Sequence, residues 1–205
     1  MDDLVNAAQQ NDLEGLRRLL DLEKKQNPQF GTSSANNSTT SMHRAAEAAA
    51  RHNHPQALDL ILETGCWVHP GAWNAIEVAA MVSSIPVIKA LLDAGAILKG
   101  RSALPKAASR GRTEVISYLL DQGASINEIP NNPHIFENKL EHGVKNALCE
   151  AAYCGQSEVV EFLLGRGADA TSRDTNGKSA LDLARAQGHE DCVNILREVV
   201  EERYD

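Results

Sequence analysis

Aromatic residues are scarce: three Phe, two Trp and three Tyr make up 4% of the 205 residues. So few large rings argue against a β-sandwich, whose strands favour aromatic and β-branched side chains. The core must instead come from Ala, Leu, Ile and Val. Long apolar runs are missing too, and no stretch approaches the roughly 18 residues of a membrane span. A basic surplus is also absent. The formal net charge of −8 argues against a general nucleic-acid binder, which needs a positive face for the phosphates. The four cysteines, Cys66, Cys149, Cys154 and Cys192, form neither a CxxC pair nor a disulfide-framework spacing. Neither a phosphate-binding Gly-rich loop, a dinucleotide fingerprint nor a nucleophile elbow occurs, so no cofactor is expected. The opening MDDLVNAAQQ lacks the apolar core of a secretory leader. The expectation is a reducing, intracellular setting, cytoplasmic or nuclear, with no membrane partner.

What the chain does have is internal repetition. ALDLILETGC (57–66), VIKALLDAGA (87–96), VISYLLDQGA (115–124), VVEFLLGRGA (159–168) and, more loosely, CVNILREVVE (192–201) share one frame. An alanine-rich segment precedes each: AAEAAARHN, AIEVAAMVSS, ALPKAASRG, ALCEAAYCG and ALDLARAQG. The N-terminal LVNAAQQNDLEGLRRLL fits the same frame, which makes six helix pairs. Small alanines on a first helix let its neighbour approach closely, while the second helix supplies the larger apolar side chains. Asn11, Asn53, Gly111, Gly155 and Gly188 stand at the joints, where positive φ is tolerated. Pro55 and Pro86 fall in first helical turns, where a missing N–H costs nothing.

Asp174-Thr-Asn-Gly-Lys-Ser-Ala-Leu-Asp-Leu-Ala-Arg-Ala-Gln-Gly-His189 and NALCEAAYCGQSEVVEFLLGRGADA (146–170) resemble the ankyrin repeat. The likeness covers nearly the whole chain. It implies an all-α solenoid, an ankyrin-repeat array of stacked helix-turn-helix units joined by β-hairpin-like loops. Repeats are expected at about 1–26, 42–68, 69–98, 99–127, 143–171 and 172–205, in a single domain. Insertions occupy 27–41, read as a flexible Ser/Thr/Asn-rich loop, and 128–142. The alanines equivalent to Ala7, Ala49, Ala79, Ala107, Ala151 and Ala184 lie 42, 30, 28, 44 and 33 residues apart, against a family period of about 33.

The resemblance implies that function sits on the concave face, at hairpin tips and first-helix ends. Residue by residue, that frame puts His43, Trp73, Arg101, Lys145 and Lys178 just before first helices. Arg51, His52, Met81, Val82, Ser109, Arg110, Tyr153 and Cys154 fall at the ends of those helices. The set is locally basic, and Trp, Tyr and Arg are frequent binding hot spots. The leading expectation is therefore a non-enzymatic module that binds a protein or peptide, with preference for acidic segments. The alternative is a small-molecule-binding protein or unusual enzyme using Glu47, Glu77 and His52 as polar or acid/base groups. For Glu47 and Glu77 the structural role is favoured over the chemical one: each would accept hydrogen bonds from hairpin N–H groups, as Asp182 is expected to do at the equivalent site. His43, His52, His54 and His69 crowd one unit, but without a fixed third ligand they predict no metal site.

The stretch EIPNNPHIFENKLEHG (128–143) reads as an enlarged finger that leaves the stack intact. Pro130 and Pro133 extend or turn its first half, and residues 136–141 suit one helical turn. Ile135, Phe136 and Leu140 are too apolar for a plain spacer. They are expected to pack on neighbouring fingers or face the ligand.

Overall fold

A computed structural model describes residues 3–26, 38–64, 75–131 and 143–201, with residues 38–40 described in backbone only. The chain forms two compact units, Met1–Ile97 and Leu98–Asp205.

In the first unit, α1 (Asp3–Gln10), α2 (Leu13–Gln26), α3 (Ser38–Arg51), α4 (Pro55–Leu62), α5 (Ala75–Val82) and α6 (Ile85–Asp93) form three helix pairs. The first helices α1, α3 and α5 pack side by side, as do the second helices α2, α4 and α6. Alanine makes the first layer possible. Ala45, Ala46, Ala48, Ala49 and Ala50 are all buried on α3, so α1 and α5 approach it from both sides. Second helices bury apolar residues at spacings that put them on one face: Leu16 and Leu20, then Leu58 and Ile61, then Val87, Ile88 and Leu91. Each such side chain contributes about 1.5–3 kcal/mol on leaving water.

The second unit repeats the plan with α7 (Ala103–Ser109), α8 (Thr113–Asp121), α9 (Ala147–Tyr153), α10 (Ser157–Gly165), α11 (Ala180–Gln187) and α12 (Glu190–Glu201). Here α9 lies between α7 and α11, and α10 packs on both α8 and α12. Among the described residues no strand forms. One isolated antiparallel bridge, Arg173 to Ser179, marks a loop.

The expected joints are where the chain turns. Asn11 and Asn53 take φ of 54° and 57°, and Gly111, Gly155 and Gly188 are left-handed as well. The α5–α6 joint differs: Ser83 is fully buried, and its hydroxyl donates to the Ala50 carbonyl. Side chains just past the joints at Asn53, Gly155 and Gly188 make the same kind of tie to the preceding first helix. His54 Nε2–H donates to Gln9 O at 3.1 Å, Gln156 Nε2 to Ser109 O at 3.5 Å, and His189 Nε2–H to Tyr153 O at 3.1 Å. A carbonyl only accepts, so both imidazoles carry their proton on Nε2.

Two details depart from the sequence reading. Residues 38–41 belong to α3 rather than to a loop, because Ser and Thr serve well at a helix start. His43 consequently lies inside α3, not ahead of it. Residues 27–37 lie outside the described residues. The long 128–142 stretch does not part its neighbours: α7 still packs on α9, and α8 on α10. Its ends are tied down. Glu128 accepts from Gly100 N at 2.8 Å, and Asn131 N donates to Gly100 O at 3.2 Å. At the far end Val144 N donates to Thr175 Oγ1 at 2.7 Å, and Thr175 N to Val144 O at 3.1 Å.

The last repeat carries the strongest cap. Ser179 and Asp182 form a capping box at the start of α11. Asp182 thus accepts from its own N-cap, from Ser179 N at 2.9 Å and Ser179 Oγ at 2.7 Å, rather than from a neighbouring finger. Those bonds, the hydroxyl's first, hold its carboxyl below the usual range, with Arg173 and Arg185 assisting. A carboxylate whose folded pKa is depressed stabilises fully above its unfolded value, about 3.9. That contribution fades as pH falls through the lower folded value. Urea midpoints measured from pH 5 to pH 2 should therefore fall less steeply for Asp182→Asn than for the wild type. Parallel profiles would remove the box from the acid response.

Candidate functional site

In the first unit the first-helix ends carry little free charge. Arg51 pairs with Glu47 one turn back, at 2.6 Å. His52 is exposed and stacks on His54, with ring centroids 6.1 Å apart. Met81 is half-buried beside Val82, which is 48% exposed. Glu77, by contrast, is buried on α5. His43 is half-buried in α3. Glu47, Glu77 and His52 thus occupy three different settings: an ion pair, a buried position and an exposed helix end. Two cavities among the described residues, discussed below, are lined by none of them. His54 commits Nε2 to the Gln9 carbonyl, and no group of three ligating side chains forms among the described residues. Trp73, Phe136, Trp67, His69 and Cys66, with Ile135 and Leu140 of the finger, lie outside the described residues.

The second unit gathers more. Arg101 is half-buried ahead of α7, and Arg110 is exposed at its end. Lys106, which the motif frame passed over, stands one turn before Arg110 and so shares its helix face. That i, i+4 spacing was the signal available in the sequence. Tyr153 and Cys154 end α9, both half-buried, while Lys178 is exposed ahead of α11. Burial, then Glu150, raises the Cys154 thiol above its ordinary pKa, while Lys145, Arg110 and Lys106 act against them. Lys106 and Lys145 also line one small space with Glu150.

Lys145 is not the solvated groove cation that its place in the repeat suggests. Its side chain is 5% exposed, with Nζ 3.8 Å from Glu150 Oε2. The same ammonium sits 4.4 Å from the centre of the Tyr153 ring, within cation–π range, and 3.5 Å from the Gly143 carbonyl. The burial follows from where the chain comes from. Pro130, Gly143 and Val144 stand beside it, and the remaining space, about 20 Å³ between Ser102, Lys106, Pro130, Val144 and Glu150, suits one water. Lys145 thus packs against Tyr153 from a buried position.

The cysteines read as packing groups. Cys149 is fully buried, and its thiol is pushed up to about 12 by burial, with the Asp174 charge adding to it. Burial, then Asp191, also raises Cys192. Thiolates are the reactive form. Alkylation at pH 8 under native conditions, read by peptide mass mapping, should spare Cys149 and Cys192 for hours and label both within minutes in denaturant. Native labelling of Cys149 would contradict its burial.

Among the described residues no helix is long and apolar enough to cross a membrane. Comparison with protein families matches residues 46–130 to the description "Ankyrin repeats (3 copies)" and residues 128–184 to "Ankyrin repeats (many copies)". A search of curated proteins returned no match. Ankyrin repeats generally mediate protein–protein interaction. The stacked helix pairs, the left-handed joints and these two matches agree, and the chain belongs to the ankyrin-repeat family.

Proposed function

We propose that this chain is a non-enzymatic module that binds an acidic segment of a partner protein across the first-helix face of its second unit. The observation that supports this reading is the placement of Lys106 and Arg110 on one face of α7, which packs along α9, the helix that ends in Tyr153 and Cys154. Arg101 and Lys178 stand ahead of the first helices of the same unit. Two cations one turn apart on α7, with a half-buried tyrosine ending the helix packed against it, would offer charge and apolar surface together, a combination common in hot spots. Lys145 beneath the ring holds the platform rigid, which lowers the ordering cost of binding. The described ends of the 128–142 finger are held at Glu128 and Val144, and the finger, with Phe136, is proposed to contribute to binding. The first unit carries its own candidates for partner contact, His43, Arg51, His52 and Met81, with Trp73 outside the described residues.

The test compares partner capture by wild type and by Lys106→Glu/Arg110→Glu, with helicity checked by circular dichroism. Partners held by this face should be lost by at least tenfold from the charge-reversed protein and should elute as salt rises toward 0.5 M, since exposed charge contacts are screened. Capture unchanged by the double substitution would move the site elsewhere.

A further inference from the structure

The outer layers of the two units differ at one place, and the repeat frame makes the difference readable. In the second unit Arg166, just past α10, reaches back to α8. Its Nη1 donates to Ser117 Oγ at 3.2 Å and its Nη2 to Asp121 Oδ1 at 3.2 Å. The guanidinium carbon also lies 5.5 Å from the centre of the Phe162 ring. Arg166 thereby spans the furrow between the two second helices.

Aligning buried Val115, Ile116 and Leu119 with Ala57, Leu58 and Ile61 makes Ser117 equivalent to Asp59 and Asp121 to Glu63. Aligning Val159, Val160 and Leu163 with Val87, Ile88 and Leu91 makes Arg166 equivalent to Ala94 and Phe162 to Ala90. The α4/α6 furrow of the first unit therefore keeps both acceptor positions, now as two carboxylates. It has lost both the guanidinium and the ring that cover its counterpart. What remains is an open groove of about 510 Å³ with Leu62, Pro86, Ala90 and Ala94 on its floor, and Asp59, Glu63 and Asp93 against one cation, Lys89. No ion pair among the described residues includes any of these four charged groups.

We propose that the α4/α6 groove is a docking site for an arginine-bearing segment of another protein. Its guanidinium would stand between Asp59 and Glu63, as Arg166 stands between Ser117 and Asp121. Two carboxylates one helical turn apart match the planar fork of arginine better than the point charge of lysine. The alanines at 90 and 94 leave room for an apolar neighbour of that arginine, where the second unit is filled by its own Phe162. The site lies on the second-helix layer, so it is separate from the face proposed above.

The test uses the full chain, labelled with ¹⁵N, and a helix-forming peptide carrying a leucine and an arginine one turn apart. The same peptide with citrulline in place of arginine keeps the shape and removes the charge. Amide shifts should concentrate at residues 59–63 and 87–94, and citrulline should weaken binding at least tenfold. Asp59→Asn with Glu63→Gln should weaken it similarly. Ala94→Arg should fill the groove in cis, abolishing peptide binding while raising the urea midpoint. Lys106→Glu/Arg110→Glu should leave this binding untouched, which separates it from the other face. Equal binding of both peptides, no localised shifts at millimolar peptide, or wild-type binding by Ala94→Arg would each overturn the proposal.

Discussion

Replacing Leu119 by alanine is expected to destabilise the protein by about 2–5 kcal/mol, the range for emptying a buried leucine site. Leu119 is fully buried on α8, which packs against both α7 and α10. The wall it faces explains why the cost should fall toward the upper end. Ala107 and Ala108 of α7 are already fully buried and have no length to extend into a cavity. In an array where each pair contacts only its neighbours, a hole in α8 weakens two interfaces together. Urea denaturation followed by circular dichroism would show a lowered midpoint. Leu22→Ala is the matched control: Leu22 is 50% exposed, and its loss should stay within about 0.5 kcal/mol. Similar midpoints for the two variants would contradict the two-layer packing.

Gly155→Ala should be costly for a change that adds only one methyl group. Gly155 takes φ of +72°, and a Cβ there would lie 2.7 Å from His189 Nδ1. The conformation alone costs an L residue about 1–3 kcal/mol. The displaced imidazole would also lose its bond to the Tyr153 carbonyl, worth about 1 kcal/mol more. Gly167→Ala separates the two effects. Gly167 is also left-handed, at +87°, but nothing lies within 4 Å of its added Cβ, so it should show the strain without the lost tie. A denaturation midpoint for Gly155→Ala no lower than that for Gly167→Ala would remove His189 from the inter-repeat contact. The comparison also bears on the proposed binding face, because the His189 tie ends on Tyr153 itself.

How much of this was legible in the sequence depends on the range of the interaction concerned. The joints at Asn11, Asn53, Gly111, Gly155 and Gly188 could be placed because their signal is local: a residue tolerant of positive φ between two apolar periods. At Ser83 the same frame predicts the turn but not how it is made, since the hydroxyl's acceptor is the carbonyl of Ala50. The start of α3 was misplaced because Ser and Thr favour both loops and helix N-termini, and composition alone does not separate the two. Lys106 was passed over because the family frame directs attention to helix ends, although its spacing from Arg110 was visible.

Taken by itself, the sequence determined the six helix pairs, their two layers and the family. Alanine-rich first helices and apolar pairs at helical spacing are one-dimensional patterns, and each repeat states them again. The fate of the charges was decided only in three dimensions. Arg101, Lys145 and Lys178 hold one position in the repeat, yet Lys145 is buried against Glu150 and Tyr153 while Lys178 is exposed. The Gly143 carbonyl and the Tyr153 ring take up the Lys145 ammonium. Likewise, Arg166 covers one furrow while Ala94 leaves its counterpart open. Glu47 and Arg51 meet within one helical turn, but Asp121 meets a cation, Arg166, more than forty residues away in the chain. Only stacking the repeats brings them within reach.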